Sequence, residues 1–230
     1  MTVALVAGCS ILGLVVGWFL DPVITRVPRK QPVFGPPADD EPPHSQTRQV
    51  VVAVLTGALF GATAARFDDS WLLPAFLVLT GALVALAVID LETYLLPNRI
   101  VYPLTFAMLA LLAAGTALDG DFSAYLRGLA AAAMWFVFFF IVNWFVPRAM
   151  GFGDVRLSFS LGLSLGVLGW GEVVLGFFLG FFYGAVIGLI LIVARRRKAK
   201  QEIPFGPFLV AGTLTTVLVG SQIIDWYLGR

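Results

Sequence analysis

Eight long apolar runs restrict what this chain can fold into. They lie at about 3–20, 50–65, 71–89, 100–118, 122–146, 155–168, 171–194 and 208–224. A membrane-spanning helix needs about 20 apolar residues, and inside a bilayer only helices and closed barrels satisfy every backbone polar group. Of the 230 residues, 59% are hydrophobic and 13% charged, where soluble domains have about 25% charged residues. The sequence predicts an all-α polytopic membrane protein with about eight transmembrane helices.

The run at 155–168 is the shortest, so we expect a short helix there. A polar, proline-rich loop at about 26–49 separates the first two runs, and it contains the single histidine, His44. No repeat or soluble segment is evident elsewhere, which predicts one membrane-embedded domain over 1–230. No basic residues precede the first run, so we expect an uncleaved helix rather than a signal peptide.

The positive charges indicate an orientation. If the N-terminus lies outside, twelve Lys and Arg residues fall on cytoplasmic segments and three, Arg66, Arg127 and Arg230, fall outside. Loops rich in Lys and Arg stay in the cytoplasm. The net charge of +1 supplies no broad basic field, so we expect the lipid bilayer and no nucleic acid as a partner.

Two aspartates stand at ends of apolar runs that this orientation assigns to the cytoplasmic side. Asp90 ends the run Leu-Ala-Val-Ile-Asp, and Asp154 precedes the run at 155–168, with Gly151 and Gly153 just before it. Ionisable residues at a membrane are costly and often functional. The alternative is that both are helix caps, with Asp154 as the N-cap of a helix beginning at Val155.

Two carboxylates within hydrogen-bond reach share one proton, because both cannot easily ionise. The charged member can take a proton from a water that attacks a peptide carbonyl, while the neutral member donates to the carbonyl oxygen. This chemistry needs no metal. The single cysteine, Cys9, excludes an internal disulfide and a multi-cysteine zinc site. Hydrolysis by a pair of aspartates therefore agrees with the residue types that the chain contains.

At these residues the chain resembles the type IV prepilin peptidases, which are membrane aspartic proteases. Residues 151–157 read Gly-Phe-Gly-Asp-Val-Arg-Leu and resemble the family's Gly-x-Gly-Asp-x-Lys-Leu signature. Ile-Asp at 89–90, followed by Leu-Leu-Pro-Asn at 95–98, resembles its first-aspartate motif. Residues 17–28 resemble its N-terminal segment Gly-Ser-Phe-Leu-Asn…Arg-Leu-Pro, and residues 203–208 its C-terminal Pro-Phe-Gly-Pro element.

The resemblance implies Asp90 and Asp154 as the catalytic pair, with Pro97, Pro204 and Gly206, besides the two glycines, as supporting motif residues. It implies a prepilin or pseudopilin substrate with a basic leader, cut after a glycine at the cytoplasmic face of the bacterial inner membrane. Proteolysis would need no cofactor. Many members also methylate the new N-terminus with S-adenosylmethionine.

The chain departs from the family pattern at several places. Asp21-Pro22 replaces Asn-Val, Arg156 replaces Lys, and Asn98 replaces a common Asp. The zinc-binding tetracysteine domain that many members carry in the first cytoplasmic loop is missing from 26–49. We therefore expect cleavage without methylation, so that S-adenosylmethionine would be a cofactor only if methyl transfer occurs.

Two alternatives remain open. Another Gly-x-Gly-Asp intramembrane protease, of the signal-peptide-peptidase kind, would have Tyr before the first aspartate and Pro-Ala-Leu near the C-terminus, where this chain has Ile89 and Pro-Phe-Gly-Pro. A small proton-coupled transporter could use the aspartates as a relay, although such folds favour midplane carboxylates and inverted repeats.

Overall fold

The structure, a computed structural model, describes residues 3–33, 45–68, 70–146, 150–194 and 204–229. Throughout these ranges the regular secondary structure is α-helical. The eight helices are α1 Val3–Arg26, α2 Gln46–Arg66, α3 Leu73–Thr93, α4 Asn98–Leu118, α5 Phe122–Phe145, α6 Phe152–Leu168, α7 Trp170–Val193 and α8 Gly206–Leu228. The prediction of an all-α polytopic membrane protein is confirmed.

Among the described residues, seven helices are long and apolar enough to cross a membrane. The remaining one is α6, which has 17 residues and therefore rises about 25 Å. The apolar core of a bilayer is about 30 Å thick. The expectation of a short helix in this part of the chain is confirmed.

Three predicted boundaries were wrong, each at a polar helix end. Helix α1 continues to Arg26 rather than stopping at residue 20. Helix α2 begins at Gln46, so the loop predicted at 26–49 is shorter at both ends. Helix α6 begins at Phe152 rather than at Val155. Residues 34–44, which include His44, lie outside the described residues.

The chain divides into two compact units, Met1–Phe122 and Ser123–Arg230. We call them the N-terminal unit, which holds α1 to α4, and the C-terminal unit, which holds α5 to α8. The single domain expected over 1–230 stays a prediction.

Glycines bring α1 and α2 into backbone contact in the N-terminal unit. A Cβ atom on Gly13 would lie 2.7 Å from the Thr56 carbonyl oxygen, and one on Gly17 would lie 2.6 Å from the Cα of Ala53. Small residues at a helix interface permit this approach in lipid, where van der Waals contact replaces the hydrophobic driving force. The first two helices therefore form a tight antiparallel hairpin.

A small apolar core lies where α1 ends, α2 begins and α3 ends. It consists of Ile24, Val52, Val84, Ala85 and Ile89, each at most 3% exposed. Ile89 directly precedes Asp90. Ile89 packs in this core with Ile24 of α1 and Val52 of α2, which holds the last turns of α3 beside those helices.

Helix α6, which belongs to the C-terminal unit, is mostly buried. Twelve of its 17 residues are buried, which agrees with an apolar character on all faces rather than on one stripe. Its contact with α5 is made backbone to backbone: a Cβ atom on Gly162 would lie 2.8 Å from the Ala131 carbonyl oxygen, and one on Gly166 would lie 2.7 Å from the Cα of Gly128. The short helix is thus held closely by its neighbour.

The α5–α6 contact predicts that Gly162→Ala destabilises the protein. Alanine gains about 0.5–1 kcal/mol over glycine in a helix, whereas overpacking a close contact costs about 1–3 kcal/mol. The matched control is Gly8→Ala, because a Cβ atom on Gly8 meets nothing within 4 Å. Thermal unfolding in detergent should show a lower midpoint for Gly162→Ala and an unchanged or higher one for Gly8→Ala. Equal midpoints would contradict the close contact.

Candidate active site

Asp154 is the third residue of α6 and is 5% exposed. Its backbone N–H donates to the Gly151 carbonyl at 3.1 Å, and its Oδ2 accepts from the Gly151 N–H at 3.1 Å. The N-cap is Gly151, so the alternative interpretation of Asp154 as the N-cap of a helix beginning at Val155 was wrong. At this third position a carboxylate still satisfies a free N–H group and lies near the positive end of the helix dipole.

The residues before Asp154 form an ordered turn that leaves space beside the carboxylate. The Asn143 side-chain amide on α5 donates to the Met150 carbonyl at 2.9 Å. Gly151 is exposed, and a Cβ atom there would meet only Asp154 Oδ2 at 3.6 Å and Gly153 N at 3.9 Å. Among the described residues nothing else lies within 4 Å of that Cβ position, so this side of Gly151 is open.

Asp90 lies in the last turn of α3 and is also 5% exposed. Its carbonyl oxygen accepts from the Tyr94 N–H at 2.9 Å, and Tyr94 has a left-handed backbone with φ 57°. Left-handed backbone in a residue other than glycine is uncommon and costs on the order of 1 kcal/mol. After this turn Pro97 caps the start of α4, so the first-aspartate motif forms the link between α3 and α4.

An ionic cluster joins three helices at the end of the N-terminal unit that carries Asp90. Arg48 on α2 donates from Nε to Asp21 Oδ1 at 2.8 Å, from Nη2 to Thr25 Oγ1, and from Nη1 to both Glu92 oxygens at 3.0 and 3.1 Å. Asp21 is 2% exposed, and Glu92 follows Asp90 by two positions on α3. Arg48 therefore joins α2 to α1 through Asp21 and Thr25, and the exposed Glu92 adds a weaker link to the last turn of α3.

The C-terminal motif forms the start of α8. Pro204 precedes the N-cap Phe205, and Gly206 begins the helix and is buried. The Phe205 ring lies 6.3 Å from the Phe139 ring and 5.1 Å from the Phe181 ring. These aromatic contacts fix the start of α8 to α5 and α7.

The sequence-predicted residues are thus distributed over both units. Gly151 and Gly153 adjoin Asp154 in the C-terminal unit, while Pro97 follows Asp90 in the N-terminal unit. The pairing of the two carboxylates stays a prediction. Among the described residues no group of three or more His, Cys, Asp or Glu side chains could hold a metal ion.

Sequence reasoning missed Asn143 and the role of Arg48. The sequence contains only a weak signal for either residue. Asn143 is the one amide side chain in the run at 122–146, and Arg48 was counted as a charge of the predicted loop at 26–49. Arg48 belongs to α2, and its carboxylate partners are 27 and 44 positions away in sequence. No local pattern relates residues at such distances.

Together these features define a polytopic membrane protein with buried aspartates at the ends of two helices. Residues 77–191, which include Asp90 and Asp154, match the type IV leader peptidase family. The chain is 32% identical over 187 residues to the prepilin leader peptidase/N-methyltransferase of Aeromonas hydrophila, covering 79% of this chain and 61% of that protein. No solved structure matches.

Two other relatives carry the same name. The protein from Pseudomonas aeruginosa is 32% identical over 181 residues, which cover 79% of this chain and 61% of the relative. The protein from Bacillus subtilis is 31% identical over 175 residues, which cover 76% and 67%. This chain belongs to the type IV leader peptidase family. It spans about 61% of the length of the Aeromonas and Pseudomonas relatives.

The cluster around Arg48 predicts a non-additive pair of substitutions. Arg48→Gln removes the guanidinium that binds the buried Asp21 carboxylate, and breaking a buried pair in this way costs about 3–5 kcal/mol. Adding Asp21→Asn removes the buried charge on the other side of the same pair, so the loss in the double variant should be smaller than the sum of the two single losses. Thermal unfolding of the four proteins forms a double-mutant cycle.

Glu92→Gln is the control for this cycle. The Glu92 side chain is 41% exposed, and exposed ion pairs contribute about 0–1 kcal/mol. Its unfolding midpoint should therefore fall much less than that of Arg48→Gln. Strictly additive effects of Asp21→Asn and Arg48→Gln would contradict the assigned interaction.

Proposed function

We propose that this chain is a membrane aspartic endopeptidase that removes the leader of type IV prepilins or pseudopilins. Asp90 and Asp154 are its catalytic pair. The observation that carries the proposal is a coincidence of two properties. Both aspartates lie inside the segment that matches the family, and each is a buried carboxylate, 5% exposed, at the end of a helix.

The proposed chemistry is general acid–base catalysis by two carboxylates that share a proton. The ionised carboxylate removes a proton from water as the water attacks the scissile carbonyl, and the protonated one donates to the carbonyl oxygen. The proton then passes to the leaving amine. The two groups would titrate as one unit, so neither aspartate is assigned permanently as acid or base.

The surroundings of each aspartate support this chemistry. The buried Ile89 packs the end of α3 with Ile24 and Val52, and Glu92 adds an exposed link to Arg48. The Gly151 N–H binds the Asp154 carboxylate, and we place the approach of the peptide on the open side of Gly151. A peptidase needs catalytic carboxylates that are held in place beside a position that the substrate can reach, because precise orientation of catalytic group and substrate contributes much of the rate enhancement.

We further propose cleavage at the cytoplasmic face of the bacterial inner membrane. The split of twelve Lys and Arg residues against three supports this orientation. The helix ends that carry Asp90 and Asp154 then face the cytoplasm, where a short basic leader would remain. The substrate helix would lie in the bilayer, with the cut bond between the two parts.

Methyl transfer is not part of the proposed activity. The curated relatives are named for both activities, but this chain contains a single cysteine, Cys9, and cannot form a tetracysteine zinc site. Cleavage without methylation stays a prediction. No observation favours the transporter or signal-peptide-peptidase alternatives, since both aspartates fall within the matched leader peptidase segment.

The catalytic assignment predicts that Asp90→Asn and Asp154→Asn each abolish cleavage while membrane insertion and protein level stay near normal. Asparagine keeps the shape of aspartate and an acceptor oxygen, so a cap survives in part, whereas it cannot act as a general base. Residues that act as one unit are non-additive, so the double variant should be scarcely worse than either single one. Cleavage of a co-expressed pilin-like substrate, scored by mass, gives the rate.

The matched control is Asp225→Asn, because Asp225 is exposed near the end of α8. Asp119 would be a poor control, since its carboxylate accepts from the Ser70 hydroxyl at 2.6 Å and from the Trp71 N–H at 3.0 Å. Near-wild-type cleavage by either Asp90→Asn or Asp154→Asn would reject the pair and restore the capping interpretation.

The orientation predicts which residues react with a membrane-impermeant thiol reagent. In a Cys9→Ser background, Pro32→Cys should be protected in spheroplasts and should react after permeabilisation. Pro32 is exposed and, as a proline, donates no backbone hydrogen bond, and Ser45 is avoided because it caps α2. Trp226 is 82% exposed and lies in the last turn of α8, at the helix end that the charge count assigns to the outside. Trp226→Cys should therefore react without permeabilisation. The reverse pattern would contradict cytoplasmic cleavage.

A further inference from the structure

The C-terminus of α6 is bound by an arginine from a neighbouring helix. Arg127 on α5 donates from Nε to the Gly166 carbonyl and from Nη2 to the Val167 carbonyl, both at 2.7 Å. The last four carbonyls of a helix lack partners within the helix. Of these, the Leu165 carbonyl accepts from the Gly169 N–H at 3.0 Å. Arg127 thus binds two of the other carbonyl groups at this helix end, those of Gly166 and Val167.

Arg127 lies in the second turn of α5, near the helix end that the charge count assigns to the outside, and is half-buried. A charged side chain that is partly removed from water at this level of a membrane helix still carries a desolvation cost. The negative end of the α6 dipole and the two charge-assisted hydrogen bonds offset that cost. A guanidinium can bind two adjacent carbonyls at once because its donors form a rigid planar fork.

The opposite end of α6 is bound by the same helix. Asn143 on α5 donates to the Met150 carbonyl, just before α6 begins. The two α5 donors, Arg127 and Asn143, are 16 positions apart, and their acceptors at Met150 and Gly166 are also 16 positions apart. Because the donors on α5 and the acceptors at the two ends of α6 are equally spaced, the two hydrogen-bonded contacts restrict sliding of α6 along α5.

The register matters because α6 is short. A helix about 5 Å shorter than the apolar core can lie at different depths at modest cost. Asp154 precedes Gly166 on the same helix by about 18 Å, so a shift at the Arg127 end moves the carboxylate by the same amount. Close contacts such as that between Gly162 and Ala131 restrict the approach of the helices but do not bind their ends.

We propose that Arg127 is a positioning residue for Asp154: together with Asn143 it holds α6 at both ends and sets the axial position of the carboxylate. Arg127 is the informative member, because its distance along the helix excludes direct contact with the cut bond. The effect on cleavage rests on the proposed function. The effect on the position of α6 does not.

Enzyme kinetics form the first part of the test. The proteins are wild type, Arg127→Gln, Arg127→Lys and, as control, Arg66→Gln, which removes another arginine assigned to the outside. The probe is a lysine-rich leader ending in glycine, joined to an apolar helix, in proteoliposomes. A displacement of about 1 Å can cost up to about 100-fold in rate, so kcat per folded molecule should fall at least about tenfold in Arg127→Gln with little change in KM.

Arg127→Lys should recover part of this loss, because an ammonium can bind one carbonyl but lacks the fork that binds two. Arg66→Gln should match wild type. A lower unfolding midpoint in Arg127→Gln with an unchanged kcat per folded molecule would reduce Arg127 to a stabilising contact and overturn the proposal.

Distance measurement forms the second part and needs no activity. Nitroxides are attached at Gly151→Cys and Trp226→Cys in a Cys9→Ser background, with both sites inside the C-terminal unit. A Cβ atom at Gly151 makes only ordinary contacts, and Trp226 is exposed. Arg127→Gln should shift or broaden the distance distribution, whereas Arg66→Gln should leave it unchanged.

The two parts separate this proposal from the proposed function. An unchanged distance distribution in Arg127→Gln would overturn the positioning role, whatever the kinetics show. A shifted distribution in a protein whose wild type cannot cleave the probe would support the positioning role and reject the peptidase assignment.

Discussion

The ends of membrane helices leave backbone N–H and C=O groups that lipid cannot satisfy, and several charged side chains in the described part of the chain bind such groups. Asp154 binds the N–H of Gly151 at the start of α6, and Arg127 binds two carbonyls at its end. Asp119 joins the end of α4 to the turn before α3. Among the described residues, these three charged side chains each bind backbone groups at or beside a helix end.

The same constraint supports the proposed chemistry. A carboxylate at a buried helix end is isolated from bulk water but held by fixed donors, and this environment favours a shared proton when a second carboxylate is near. In the N-terminal unit, Glu92 in the last turn of α3 binds Arg48 of α2, which also binds the buried Asp21 carboxylate.

Hydropathy predicted the eight helices because spanning length and apolar content are local properties. Its errors fall where polar residues belong to a helix: Asp21 and Thr25 extend α1 because Arg48 on α2 binds them. At α6, Gly-Phe-Gly-Asp was interpreted as a link before the helix, although an aspartate is favourable in a first turn. The anchoring role of Arg127 could not be predicted, since it depends on the register between α5 and α6.

Thiol cross-linking tests whether Asp90 and Asp154 act as one carboxylate pair. The protein carries Asp90→Cys and Asp154→Cys in a Cys9→Ser background, in native membranes, with a short bifunctional thiol reagent. We expect an internal cross-link for this pair and none for the control pair Asp90→Cys and Asp225→Cys. If each introduced thiol reacts singly with a small reagent but the Asp90→Cys and Asp154→Cys pair does not cross-link, the two carboxylates do not form a site.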